Sequence, residues 1–307
     1  MTWHPGERAV QRRAGSGAQV EGLVLPPEIP PVAQDFLAER PWLVVGAADD
    51  EGRMWATALH GPPGFLHADE RSVHVAATPV PGDPLAPVLA READVGALAI
   101  DPATRRRMRL NGRSRPLPGG LLLETEQVYA NCPKYIVARE PAPAARRPGT
   151  PVTGGALDAA QAAQVRAADT FFVATRAPGH GADASHRGGR PGFVVVHDER
   201  HLTWPDYRGN GMFNTLGNLE ADPAAGLLFC DFARGDLLLL SGRARVVWDP
   251  SRVAEFPRAQ RLVDLTVEHV VARPGAAPLL WDGEQASKVS PPAPEGPVSG
   301  PLEAALK

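Results

Sequence analysis

Short apolar runs, broken by polar or Gly/Pro punctuation, dominate this chain. Trp42–Ala47, Met54–Leu59, Gly64–His67, Ser72–Ala77, Val95–Ile100 and Arg107–Arg113 read as strands, with turn signals at Asp49–Gly52, Gly61–Pro63, Asp69–Arg71 and Asp101–Thr104. Glu7–Arg13 and Pro30–Glu39 read as short helices, and Pro84–Arg91 has a helical pattern between two strands. Glu124–Ala138 predicts a helix closing the first half. Leu157–Ala168 predicts another, and the strand pattern restarts at Thr170–Thr175. It continues through Gly192–Val196, His201–Trp204, Ala225–Phe232, Leu237–Arg243 and Arg245–Trp248, and a final helix is expected near Arg258–Ala272. Many short strands with few helices predict an antiparallel barrel or sandwich.

The strand pattern occurs twice. At an offset of 130, Asp94–Leu117 falls without a gap on Ala224–Val247. Gly96, Leu98, Asp101, Ala103, Leu110, Gly112, Arg113 and Arg115 recur as Gly226, Leu228, Asp231, Ala233, Leu240, Gly242, Arg243 and Arg245. Upstream, Gly61–Phe65 meets Gly189–Phe193, and Ala68–Arg71 meets His197–Arg200. A unit of this length is a duplicated domain, not a solenoid repeat. The expected organisation is one barrel over residues 1–140, a Pro/Gly linker over 141–156, a second barrel over 157–286 and a mobile tail over 287–307.

Composition narrows the function classes. The 307 residues carry a net charge of −3, which predicts neither a nucleic-acid nor an anionic-membrane partner. Arg105–Arg109 is the one basic run and reads as a solvated strand face. No apolar run reaches a membrane-span length, and the first residues lack a signal core. The two cysteines, Cys132 and Cys230, lie in different halves, so a reducing cytoplasm is the expected location. Cys132 reads as a small buried residue rather than a nucleophile. The 31 glycines and 33 prolines suit short strands and turns.

The two copies differ in polarity at one place. Between matched strands the second reads Tyr207, Arg208, Gly209, Asn210, Asn214, Thr215 and Asn218, where the first has prolines, alanines and valines. Arg donors, glycines that let the backbone approach, and a following helix start suit an anion. A second polar cluster, Ala182–Phe193, includes Asp183, Ser185, His186 and Arg187 and aligns with the mostly apolar Trp55–Phe65. His197 and His201 read as a hairpin turn, and Gly179–Ala184 cannot open a helix as a dinucleotide fingerprint would. There is no G-x-S-x-G, Walker A, C-x-x-C or H-E-x-x-H pattern, and no metal site is expected.

On these residues the chain resembles split-barrel flavoproteins of the pyridoxamine 5′-phosphate oxidase type, including tandem proteins described as predicted flavin-nucleotide-binding. Asn210, Leu216, Asn218, Gly226–Phe229 and Gly242–Ala244 fit the family's pattern, and the likeness covers about residues 40–250. It implies a mainly β fold with flanking helices (α+β), in which two tandem split β-barrels form a pseudo-dimer. It implies FMN at the seam, its phosphate against one barrel and its ring touching the other. Carried over by motif, Arg208, Asn210, Asn214, Thr215 and Asn218, with Tyr207 beside them, would hold the phosphate and ribityl chain. Ser185, His186 and Arg187 would lie beside the ring or phosphate. Tyr129–Tyr135 would wall the ring, with Lys134 pairing a reduced, anionic flavin. His186 would be the acid or base, titrating near neutrality.

Two departures shape the implied activity. Asn214 and Thr215 stand where the oxidase has Lys and Arg, and its C-terminal Trp and Arg contacts to pyridoxal phosphate are not found. The expectation is therefore an FMN-dependent oxidoreductase acting on another small molecule. The alternatives are a non-catalytic flavin carrier and a haem- or deazaflavin-binding barrel. Assembly into a homodimer stays open.

Overall fold

The computed structural model describes residues 3–130, 133–144 and 148–301. Helices α1 (Pro5–Arg13), α2 (Gly17–Val20) and α3 (Pro31–Ala38) come first. A first sheet follows, built from β1 (Trp42–Ala48), β2 (Met54–His60), β3 (Leu66–Ala68), β4 (Ser72–Val75), β5 (Ala93–Asp101), β6 (Arg106–Leu117) and β7 (Gly120–Ala130), with α4 (Ala86–Leu89) before β5. Strands β8 (Ala138–Pro143) and β9 (Val152–Gly154) and helix α5 (Ala159–Ala167) connect it to a second sheet. That sheet holds β10 (Thr170–Arg176), β11 (Ala182–Gly188), β12 (Val195–Val196), β13 (His201–Asp206), β14 (Ala224–Asp231), β15 (Asp236–Val247) and β16 (Arg261–Arg273). Helix α6 (Asn214–Ala221) precedes β14, α7 (Pro250–Ala254) precedes β16, and β17 (Leu279–Gln285) ends the series.

The strand order is β2-β1-β5-β6-β7-β4-β3 in one sheet and β11-β10-β14-β15-β16-β13-β12 in the other, the same path twice. Each sheet curls into a split barrel, so the duplication read from the sequence is a duplication of topology. The segment expected as a linker contributes pairing of its own. β8 forms a ribbon with β17, and β9 adds to β16.

Two expected helices are strands. Glu124–Ala138 has helix-forming Glu and Gln, yet Gly120–Ala130 pairs with β6 along its length and with β4 on its other side. Leu121, Leu123 and Val128 are buried there, so burial across the sheet overrides local propensity. Arg258–Ala272 is likewise mostly β16, which pairs with β15 on one edge and with β13 and then β9 on the other, its Val263, Val267, Val270 and Val271 buried. The polar cluster from Ala182 begins as a strand: Ala182–Gly188 pairs with β10 residue for residue.

Repeated glycines mark where the barrels meet. β11 lies on β5 and β6, and β2 lies on β14 and β15. A Cβ on Gly96 would collide with the backbone of Asp183 and Ala184, and one on Gly226 with the backbone of Met54 and Trp55. Only hydrogen at these positions allows the sheets to approach so closely. Gly112 and Gly242 mark bulges at the same place in each barrel, where a Cβ would strike the carbonyls of Glu124 and Thr266. The first barrel's core runs through the seam, joining Trp42, Leu59 and Val95 to Phe172, Leu228 and Leu239; the second has its own core around Phe171, Trp204 and Phe229.

Helix α1 precedes the first barrel in sequence but packs on α6 of the second. His4 and Glu7 close a capping box at its start. Gln11 Nε2 then donates to the Met212 carbonyl at 2.9 Å and Ser16 Oγ to that of Gly211 at 3.2 Å. No helix among the described residues is long and apolar enough to cross a membrane.

Candidate functional site

At the second seam, β11 of one barrel faces β6 and the end of β7 of the other. Alternation along β11 sends Asp183, Ser185 and Arg187 to one side. Arg107 and Arg109 come across from β6, so the basic run is not the solvated face expected: Arg109 is 9% exposed. It reaches Asp183 Oδ1 at 2.9 Å and Oδ2 at 3.1 Å, donates to the Tyr129 hydroxyl at 3.0 Å, and contacts Ser185 Oγ. Asp183 also accepts from Asn111 Nδ2 at 3.2 Å, Tyr129 OH at 3.3 Å and Thr215 Oγ1 at 3.1 Å. These donors offset the cost of a carboxylate 1% exposed. The same charge raises the Arg109 pKa against burial.

Above this layer opens a cleft of about 110 Å³, lined by Lys134, Tyr135, Arg107, Arg109, His186, Arg187, Asp206, Tyr207, Asn210, Asn214 and Thr215 among others. That space holds a few waters or a phosphate-sized group. Arg107 Nη1 lies 2.7 Å from His186 Nδ1. Because Arg only donates, Nδ1 accepts and the imidazole proton sits on Nε2, which is buried and meets no partner. Burial, then Arg107, Arg187, Arg139 and Arg109, holds His186 well below its ordinary pKa. It is therefore a neutral donor and does not titrate near neutrality as expected for an acid or base.

Arg187 donates to Ser185 Oγ at 3.1 Å and to the His186 carbonyl at 3.0 Å. Among the described ion pairs none involves Arg187, and burial lowers its pKa while Asp206 opposes that. Asp206 itself is committed to Arg261 at 3.1 Å. The cleft thus carries more cation than carboxylate. Helix α6 enters it with Phe213 in the left-handed region (φ 63°) and no side-chain cap, so its first-turn N–H groups point where an anion would lie.

The structure brings Lys134, His186, Arg187, Tyr207, Asn210, Asn214 and Thr215 together around the cleft, with Ser185 buried beneath. Arg208 and Asn218 fall elsewhere. Arg208 is exposed and touches the site through its carbonyl, which accepts from Tyr135 OH at 3.2 Å. Asn218, within α6, donates to Thr175 Oγ1 at 3.1 Å and sits 3.0 Å from His4 Nε2, away from the cleft lining. Tyr135 and Tyr207 bring their rings to 5.2 Å at the mouth, and burial raises the Tyr207 pKa. Cys132 lies outside the described residues; Cys230 is a free thiol that burial pushes up to about 12.

Sequence reasoning missed Arg107, Arg109 and Glu7. A signal for the first two existed: at the offset of 130 they meet Leu237 and Leu239, arginine for leucine on matched strands. Glu7 had none, because α1 is remote in sequence from the α6 it touches. Its Oε1 accepts from Asn214 Nδ2 at 2.8 Å, and burial pushes its pKa up to about 7.

Residues 157–281 match the family model described as pyridoxamine 5′-phosphate oxidase. No curated protein matches the chain. Similar solved structures include a putative pyridoxamine 5′-phosphate oxidase from Lactobacillus delbrueckii, at 19% identity over 38% of this chain and 93% of that one, TM-score 0.31. HupZ from Group A Streptococcus is 12% identical over 36% of this chain and 90% of its own, TM-score 0.31. An FAD binding protein from Mycobacterium smegmatis is 14% identical over 39% of this chain and 98% of its own, TM-score 0.28.

Proposed function

We propose that the chain, whose second barrel matches the pyridoxamine 5′-phosphate oxidase model over residues 157–281, is an FMN-dependent oxidoreductase acting on a small molecule other than pyridoxamine phosphate. The observation that carries this reading is the cation-rich cleft at the second seam, on whose wall His186 keeps a buried Nε2–H without an acceptor. A buried donor without an acceptor costs roughly 1–3 kcal/mol, a cost a ligand acceptor would relieve.

The residues present fit a phosphorylated ligand. Arg187, Lys134 and the first turn of α6 with Asn214 and Thr215 would hold the phosphate. His186 would donate from Nε2, and Arg107 would keep it in that tautomer. Ser185 and Asp183 fix Arg109 and Thr215 from below. FMN, when bound, supplies the electron and hydride chemistry, while the protein binds, orients and shields. The isoalloxazine would enter past Tyr135 and Tyr207, whose rings would have to part.

One observation favours a second reading, a non-catalytic flavin carrier. Of the cleft groups, His186 is driven far down and Tyr207 up, both away from neutrality, while Glu7 lies behind Asn214. A haem reading loses support because His186 Nε2 carries the proton and offers no lone pair to iron.

The test is the visible spectrum of the purified protein, with the mass of any released cofactor and an FMN titration. Flavin absorbance with FMN mass, weakened by Arg187→Ala and Asn214→Ala, supports the reading. A colourless chain that takes up no FMN ends it. Reduction by NAD(P)H followed by reoxidation in air separates the oxidoreductase from the carrier, whose flavin would not cycle.

A further inference from the structure

The pseudo-two-fold that relates the barrels creates a first seam equivalent to the second. There β2 faces β14 and β15 as β11 faces β5 and β6. The register fixes the correspondence, because Thr57 opposes Val45 on β1 as Ser185 opposes Val173 on β10. Thr57 thus stands for Ser185, Trp55 for Asp183 and Leu59 for Arg187. At the offset of 130, Leu85 stands for Thr215 and Asp83 for Phe213, just ahead of the helix.

Asp83 is 3% exposed and its carboxylate fills this place. Oδ2 accepts from Thr57 Oγ1 at 2.5 Å and from Arg273 Nη1 at 2.6 Å, and Oδ1 accepts from Leu85 N at 2.9 Å. Two of these three donors are the counterparts of Ser185 and Thr215. The third, Arg273, reaches across from β16 of the opposite barrel and is 4% exposed. A negatively charged group therefore already sits on the first seam's counterparts of residues that surround the second seam's cleft.

We propose that the first seam is a phosphate-type anion seat permanently occupied by the chain's own Asp83 carboxylate, so that each chain takes one phosphorylated ligand, at the second seam. This rests on the reading of the second seam as a ligand's phosphate seat. The first copy has not merely lost its polar residues. It keeps a hydroxyl, a backbone N–H and a cross-barrel guanidinium, and supplies their anion internally. Removing the Asp83 carboxylate leaves Arg273 buried without its counter-ion, a state that an external oxyanion relieves.

The experiment compares thermal unfolding in chloride and in inorganic phosphate at matched ionic strength. Arg187→Ala, which weakens the second seam, is the reference; Arg187→Ala/Asp83→Ala is the test chain. The expected result is a phosphate-specific rise in Tm in the test chain beyond that of the reference, abolished by adding Arg273→Met. Equal Tm in the two salts overturns the proposal. If the test chain does not fold in chloride, its refolding yield is read instead. A yield that rises with phosphate supports the proposal, and one that stays at zero in both salts overturns it. Failure of the flavin reading would show separately, as an unmodified chain that binds no FMN, whatever the Asp83 chains do.

Discussion

At the second seam β11 presents Asp183, Ser185 and Arg187 to the opposite barrel; at the first, β2 presents Trp55, Thr57 and Leu59 in the same register. Across from them stand Arg107 and Arg109 in one case, Leu237 and Leu239 in the other. One scaffold thus supports two kinds of layer between its barrels. The first is largely apolar, continuous with the core and closed by the buried ion pair between Asp83 and Arg273. The second is a hydrogen-bonded charge network that leaves spare donors facing a cleft. The fold needs only that the layer be filled and its polar groups satisfied, so chemistry is free to reside in one copy while packing keeps the other.

The harshest way to break this comparison is to make the second layer half apolar. Arg109→Leu leaves Asp183 buried without its cation and should cost about 3–5 kcal/mol in urea unfolding. Arg109→Leu/Asp183→Ala, which removes both charges, should recover most of that. A double variant no more stable than the single would show that the two layers are not interchangeable.

Next in size is a crossed pair at equivalent positions. Leu59→Ala should lose about 2–5 kcal/mol of stability and leave FMN affinity unchanged. Arg187→Ala should weaken FMN binding by about 1.5–3 kcal/mol, roughly ten- to a hundred-fold in Kd by titration. Equal effects of both on affinity would sink the division of labour. The glycines that set the barrel spacing should not distinguish the seams: Gly96→Ala and Gly226→Ala should each cost about 1–3 kcal/mol, and denaturation curves that differ widely would contradict this.

The smallest effect is expected at Glu7, which backs α6 at the second seam. Its folded pKa is raised by burial to about 7 from an ordinary 4.5. Below the unfolded value both states are protonated; as pH rises toward 7 the unfolded chain ionises first, and stability is lost across that window. Glu7→Gln should therefore gain on the order of 1–2 kcal/mol at pH 8 and nothing at pH 4. A stability difference that does not change between these pH values would remove Glu7 from the titration.

Much of this was legible in the chain. The repeated Gly, Leu and Arg positions give two equivalent barrels, and the polarity difference between copies singles out the second, where His186, Arg187, Asn214 and Thr215 do converge. The strands β7 and β16 were not legible, since their Glu, Gln and Val content suits either element and only pairing on both edges decides. The exposure of the Arg208 side chain was not legible for a similar reason: a motif states which residues are near a turn, not which side chains face inward.

By itself the sequence determined the duplication, the strand-rich class, and which copy carries the polar set, because these depend on residue type and order along one strand at a time. Tertiary structure alone decided that Arg107 and Arg109 turn into the seam, that α1 crosses to brace α6, that His186 is a neutral donor, and that Asp83 meets Arg273 across 190 positions. Each of these depends on low-dielectric burial and on contacts between segments far apart in the chain, and neither is encoded in local spacing.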